Sequence, residues 1–320
     1  VTRPYLDSPT ILDHIGDTPI VELRTVVPSG CARIMLKIEA NNPTGSMKDR
    51  MALAMVEAAE RDRRLPPGGT VVEYTGGSTG VSLAMVCAVK GHPLCIVTSD
   101  AFSLEKRRHM EAFGATLTLV RSAAGGMDAA LTHNMIETAR QIVEETGGFW
   151  TDQLNNTDPL AAYRTLGDEI WQQTDGEIDA FVQSTGTAAS VRGVAESLHH
   201  HKPDVLCVAV EPSESAVLSG GPTGTHRIEG VGAGFVVPLW NPDAIDEIAT
   251  VSTGEAMAMA RQLARADGLF AGTSTGANLA AAIRIGKRLG PDATVVTIMC
   301  DSGLKYLSTQ LYRQPDDRTL

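Results

Sequence analysis

The stretch TVVEYTGGSTGVSLAMVCAVKG, residues 70–91, decides the fold class. Thr70–Tyr74 is short, apolar and partly β-branched, the composition of a strand buried on both faces. A glycine-rich turn then feeds a helix over Thr79–Lys90. Gly91 stops it, being the residue type that most easily takes the left-handed closing conformation. The pattern continues with a strand at Leu94–Thr98, a helix at Ser103–Phe113 closed by Gly114, a strand at Thr116–Val120 and a helix over Met127–Glu145. Alternation of this kind builds a parallel sheet covered by helices on both faces.

The second half has the same style without a sequence repeat. Ala180–Gln183, Val205–Val210 and Thr294–Met299 read as strands, and Ser190–His199, Glu255–Ala266 and Ala277–Leu289 as helices. A break at Gly147–Thr151 divides the 320 residues into two open, mainly parallel twisted-sheet α/β domains, 1–150 and 151–320, with part of 1–45 packing on the second. Open α/β sheets bind ligands at the carboxyl ends of their strands, so the ligand belongs in the cleft between the two.

Composition removes several classes of function. The chain carries 27 basic and 38 acidic residues, a net charge of −11 that repels nucleic acid and anionic lipid. No run of about 18 apolar residues is present to span a bilayer. Val1–Asp7 lacks the apolar segment of a signal peptide, and five cysteines without a Cys-x-x-Cys pair suit a reducing compartment; both favour the cytoplasm. No metal is expected, since His199–His201 has no Cys or Asp partner at ligand spacing. Arg61–Arg64 and Glu105–Arg108 read as solvated helix faces, Met85, Met110 and Met135 as core, and Met47 as a pocket wall.

Glycines mark the chemistry. Gly76–Gly80, Gly186–Thr187 and Gly272–Gly276 lie at helix starts, where free backbone N–H groups bind anions. Thr75–Gly80 lacks the Gly-x-Gly-x-x-Gly spacing of a dinucleotide fingerprint. Lys48 is one of only seven lysines and opens a helix spanning Met51–Arg61. Both the helix dipole and burial lower the pKa of an amine placed there, which suits attack on a carbonyl.

Seven segments in order, from Gly16-Asp-Thr-Pro19 through Asn42–Arg50, Thr75–Gly80, Gly186–Ser190, Ile228–Phe235 and Ala271–Ala277 to Asp301–Thr309, cover nearly the whole chain. Together they resemble the fold-type II pyridoxal-phosphate enzymes, of tryptophan synthase β-like fold, and within them the cysteine synthase and cystathionine β-synthase family. The resemblance implies that Lys48 forms the Schiff base with pyridoxal 5'-phosphate and moves the Cα proton. It puts the phosphate on Gly186, Thr187, Ala188, Ala189 and Ser190, and the substrate carboxylate on Thr75, Gly76, Gly77, Ser78, Thr79 and Gln153, with Gly230 near the substrate amine. Ser302, rather than its neighbour Asp301, is assigned to the pyridine nitrogen. A hydroxyl there makes a weak electron sink, favouring loss of a β-substituent over transamination.

Two departures stand out. Ser78 occupies the place of an asparagine that contacts cofactor and substrate. Ala188 and Ala189 replace glycines, and their methyl groups oppose positive φ. The activity implied is β-replacement on an activated L-serine through an aminoacrylate, with O-acetylserine and sulfide giving L-cysteine. The donor follows from Glu211–Ser215, which supplies acids and no arginine for a phosphate ester. Another donor or nucleophile, β-elimination from serine or threonine, and a degenerate binding homologue are the alternatives. A homodimer is implied as well.

Overall fold

The computed structural model describes residues 9–122 and 129–313. Val1–Asp7 and the first turn expected at Met127 lie outside the described residues. The strands are β1 (Ile20–Leu23), β2 (Arg33–Lys37), β3 (Val71–Tyr74), β4 (Leu94–Ser99), β5 (Thr116–Val120), β6 (Phe149–Trp150), β7 (Ala180–Ser184), β8 (Leu206–Pro212), β9 (Glu247–Val251) and β10 (Thr294–Ile298). The helices are α1 (Lys48–Arg61), α2 (Ser78–Lys90), α3 (Leu104–Ala112), α4 (Ala129–Thr146), α5 (Pro159–Gln173), α6 (Ala189–His201), α7 (Thr253–Asp267) and α8 (Thr273–Leu289).

Two sheets result. One has the order β5-β4-β3-β6 and is parallel throughout; the other has the order β1-β2-β10-β7-β8-β9 and is parallel except where β1 meets β2. This is the two-sheet α/β architecture expected. All four residues of β3 and all five of β7 and β10 are buried, which is why these segments are mostly apolar rather than alternating; Glu73 in β3 and Gln183 and Ser184 in β7 are the charged, amide and hydroxyl exceptions in those two strands. Helix α2 is buried from Thr79 to Cys87 and is correspondingly apolar on every face. Gly91 closes it at φ 79°.

Residues near the expected break at Gly147–Thr151 form β6, where Phe149 pairs with Val71 and Trp150 with Val72. Strands β1, β2, β6 and β9 and helix α5 are additional to the elements expected from the sequence, and α8 starts four residues before Ala277. The N-cap of α8 is Gly272, so the Thr-Ser-Thr-Gly segment is its first turn rather than a loop. For α5 the signal was available: Pro159 opens it, at a position where the missing N–H removes no hydrogen bond.

Two predictions test this packing. A Cβ at Gly276 would come within 2.0 Å of the Ala256 carbonyl oxygen, because α7 and α8 pack backbone to backbone there. Gly276→Ala should therefore destabilise the fold by about 1–3 kcal/mol in denaturant titration; an unchanged midpoint contradicts the packing. Glu73 is wholly buried in β3, accepting from Tyr74 N at 2.8 Å, Gln153 N at 3.0 Å and the Thr151 hydroxyl at 2.5 Å. Burial outweighs those donors and pushes its carboxyl up to about 7. Because the folded value is raised, the stability it contributes is complete below the unfolded pKa and is lost as pH rises through about 7. Glu73→Gln should gain in Tm relative to wild type between about pH 5 and about pH 8; a gap independent of pH refutes it.

Candidate active site

Lys48 is delivered by a loop fixed on three sides. Met47 N donates to the Cys300 carbonyl at 2.9 Å and Ser302 N to the Gly45 carbonyl at 3.0 Å, so residues 45–47 lie along the segment that continues β10. Asp49 turns the loop into α1 by accepting from Thr44 N at 2.8 Å, the Thr44 hydroxyl at 2.5 Å and the Ser82 hydroxyl at 2.6 Å. Arg50 locks the helix start to two carboxylates. Its Nε and Nη2 reach Glu39 at 2.8 and 2.9 Å, and its Nη1 and Nη2 reach Glu169 at 2.7 Å each. The Lys48 amine faces a cavity between the two sheets and makes no hydrogen bond among the described residues. Burial pushes its pKa down, opposed in part by Cys300 and Asp301.

Two further helix starts line the cavity. At α2, Gly76 and Gly77 are required by close neighbours: a Cβ would fall 2.5 Å from the Phe102 ring at Gly76 and 2.3 Å from Lys106 Cδ at Gly77, where φ is 147°. The Thr79 hydroxyl donates to Gln153 Oε1 at 3.0 Å, bringing together two residues expected to share one ligand. At α6, Ala188 precedes the helix and supplies no side-chain cap. Gly186 passes so near the Gly230 carbonyl that a Cβ would lie 2.4 Å from it. Ser190 accepts from Gln183 Nε2 at 2.7 Å, while Gln183 Oε1 and the Ser184 hydroxyl are buried without partners.

The cavity gathers Lys48, Thr75, Gly76, Gly77, Ser78, Thr79, Gln153, Gly186, Thr187, Ser190 and Gly230, with Met47 in its wall. Ala188 and Ala189 are buried behind its lining. Ala188 nevertheless adopts φ 69°, so the left-handed turn survives the loss of glycine and carries the strain of a methyl group. Ser302 is not in the lining: its hydroxyl accepts from Leu304 N at 3.3 Å and caps a 3-10 turn at Gly303–Tyr306. In that region the cavity is lined by Cys300, Asp301 and Tyr306 and, from the first turn of α8, by Ser274.

Other expectations change as well. Glu105–Arg108 is not a wholly solvated face, because Lys106 is buried and lines the cavity, donating to Glu229 Oε2 at 2.7 Å and the Tyr306 hydroxyl at 3.0 Å. Spacing was the available signal, since Lys106 shares the inner face of α3 with Met110, four residues on. Glu211, used to choose the donor, instead accepts from Leu218 N, Ser219 N and the Ser219 hydroxyl, and the 211–215 stretch does not line the cavity. Cys300 is buried and also lines the cavity; burial raises that thiol to about 11. The fold does bring Cys207 and Asp246 to His199, with ligand atoms within 4.8 Å of one another. Burial raises the Cys207 thiol to about 12, and Asp246 already accepts from Cys207 N at 2.7 Å.

An unpaired amine, an uncapped helix start and orphaned polar atoms fit an aldehyde cofactor carrying a phosphate. A family model described as "Pyridoxal-phosphate dependent enzyme" matches residues 11–301. Cysteine synthase of Staphylococcus aureus (strain Mu50 / ATCC 700699) is 42% identical over 308 residues, covering 96% of this chain and 97% of its own. Among solved structures, O-acetyl serine sulfhydrylase isoform 3 from Entamoeba histolytica gives a TM-score of 0.88 at 37% identity, covering 100% of this chain and 96% of that one. O-ureido-L-serine synthase gives 0.90 at 35% identity, covering 99% and 98%. The chain belongs to the pyridoxal-phosphate-dependent enzymes of fold type II, in the cysteine synthase family.

Proposed function

We propose that the protein catalyses β-replacement on O-acetyl-L-serine, with sulfide as acceptor and acetate and L-cysteine as products. The observation that carries this reading is the Lys48 amine, unpaired and facing the cavity between the starts of α2 and α6. The names of the relatives, cysteine synthase and O-acetyl serine sulfhydrylase, support the same donor and acceptor. Bound pyridoxal phosphate supplies an electron sink for charge developing at Cα.

The chain's own residues do the rest. Lys48 Nζ holds the cofactor aldehyde carbon and, once free, takes the Cα proton and later returns it. The start of α6, with Gly186, Thr187 and Ser190, holds the phosphate, while Ala188 and Ala189 contribute backbone alone. The substrate carboxylate falls to the start of α2, with Thr75, Gly76, Gly77, Thr79 and Gln153; Gly230 borders the amine. Ser274 takes the place at the pyridine nitrogen that the sequence reading gave to Ser302. The acidic surface supports small-molecule partners rather than nucleic acid or membrane, and the reduced cysteines and family resemblance support a cytoplasmic homodimer.

The test is acetate release from O-acetylserine with no acceptor present, followed by L-cysteine formation on adding sulfide. Neither product appearing refutes the reading. Lys48→Ala should fold and lower acetate release by at least about 100-fold; an undiminished rate removes Lys48 from the chemistry. Ala188→Gly should raise stability by roughly 0.5–1 kcal/mol in denaturant titration, since glycine takes φ 69° without strain. A loss of stability would show that Ala188 is unstrained.

A further inference from the structure

Five cavity-lining side chains form one directed hydrogen-bond chain. Lys106 Nζ donates to the Tyr306 hydroxyl at 3.0 Å and to Glu229 Oε2 at 2.7 Å. Tyr306 donates onward to Asp301 Oδ2 at 2.8 Å, and the Ser78 hydroxyl donates to the same oxygen at 2.8 Å. The direction is forced at both ends, because an ammonium only donates and a carboxylate only accepts. Tyr306 and Ser78 have therefore committed their single protons to Asp301. What Ser78 Oγ offers the cavity is a lone pair.

We propose that Asp301, acting through Ser78, takes the proton of the incoming acceptor, which enters uncharged as a neutral thiol or hydrogen sulfide rather than as a ready-made anion. The proposal rests on the β-replacement reading above. A neutral S–H can donate to Ser78 Oγ; an anion finds no donor there. The Ser78 hydrogen bond leads that proton to Asp301 Oδ2, while Oδ1 is buried without a partner. The carboxylate is seated beside Gly272, where a Cβ would lie 2.2 Å from Oδ1. The groups facing Asp301 are the Lys48, Lys106 and Lys305 amines, the Glu229 carboxyl, the Tyr306 and Tyr312 hydroxyls and the Cys300 thiol.

The step balances. The acceptor's S–H proton moves to Ser78 Oγ as the Ser78 proton moves to Asp301 Oδ2, and the sulfur lone pair forms the C–S bond at Cβ. The electron pair displaced from between Cα and Cβ takes a proton from Lys48 Nζ to form Cα–H. Asp301 then releases its proton to water, accounting for the one that accompanies acetate overall. Ser78 in place of the family's asparagine is thereby a proton carrier and a determinant of the acceptor.

The experiment mixes donor-loaded holoenzyme with 2-mercaptoethanol and follows the thioether product by mass spectrometry between about pH 6 and about pH 8, where thiolate rises about tenfold per unit. The wild-type rate should rise by less than about threefold per unit, since the proton is removed in the site. Asp301→Asn should be about 100-fold slower near pH 7 and should follow the tenfold slope. Ser78→Ala should show the same slope, which guards against a folding defect peculiar to Asp301→Asn. A wild-type rate that itself tracks thiolate, or variants that keep the wild-type slope, overturns the proposal. Acetate release by the wild type beside either result leaves the β-replacement reading standing; no acetate release overturns both.

Discussion

The site depends on Arg50, whose guanidinium holds Glu39 and Glu169 at once while almost fully buried. Glu169 also takes the Lys37 ammonium at 2.6 Å, and Glu39 takes the Thr18 hydroxyl at 2.6 Å and Asn42 Nδ2 at 2.9 Å. Buried charges add little net stability even when paired, but removing one partner strands the others at a cost of about 3–5 kcal/mol. Such a network therefore acts as a register pin. Arg50 lies two residues beyond Lys48, so pinning it to Glu39 ahead of α1 and to Glu169 in α5 fixes where the amine emerges.

Close backbone approach is the second constraint. Gly186 against the Gly230 carbonyl, and Gly76 and Gly77 against Phe102 and Lys106, let loops from both sheets converge on one cavity. Neither the residue before α2 nor the one before α6 supplies a side-chain cap, leaving first-turn N–H groups for ligand anions. The left-handed Ala188 shows that the loop entering α6 keeps its shape against local preference, because the surrounding core dictates it.

The buried strands β3, β7 and β10 were legible because burial on both faces leaves a short, mostly apolar and β-branched run. Strand β9 was not: it is an edge strand, Glu-Ile-Ala-Thr-Val, only partly covered. Strand β2 begins and ends on charge, and Lys37 is buried there only because Glu169, distant in sequence, meets it. Lys48, Thr75–Thr79, Gly186, Thr187 and Ser190 came together in the lining of one cavity. Ser302 did not, for a reason of register. Successive residues of an extended segment face opposite ways, so a hydroxyl one position along from Asp301 turns outward to cap its own chain. Lys106 was misjudged because its partners, Glu229 and Tyr306, come from the far half of the sequence.

Three lysines crowd this cavity, and they differ in what holds them. Lys106 is tied to Glu229 and Tyr306; Lys305 is buried behind the lining, with burial pushing its pKa down to about 8; Lys48 alone both faces the cavity and makes no hydrogen bond among the described residues. The account makes Lys48 the residue that holds the cofactor. Borohydride reduction of the pyridoxal-phosphate-loaded protein, followed by peptide mass mapping, reads that directly. A pyridoxyl group on the peptide containing Lys48 is the predicted result; the same label on Lys106 or Lys305 would contradict the account.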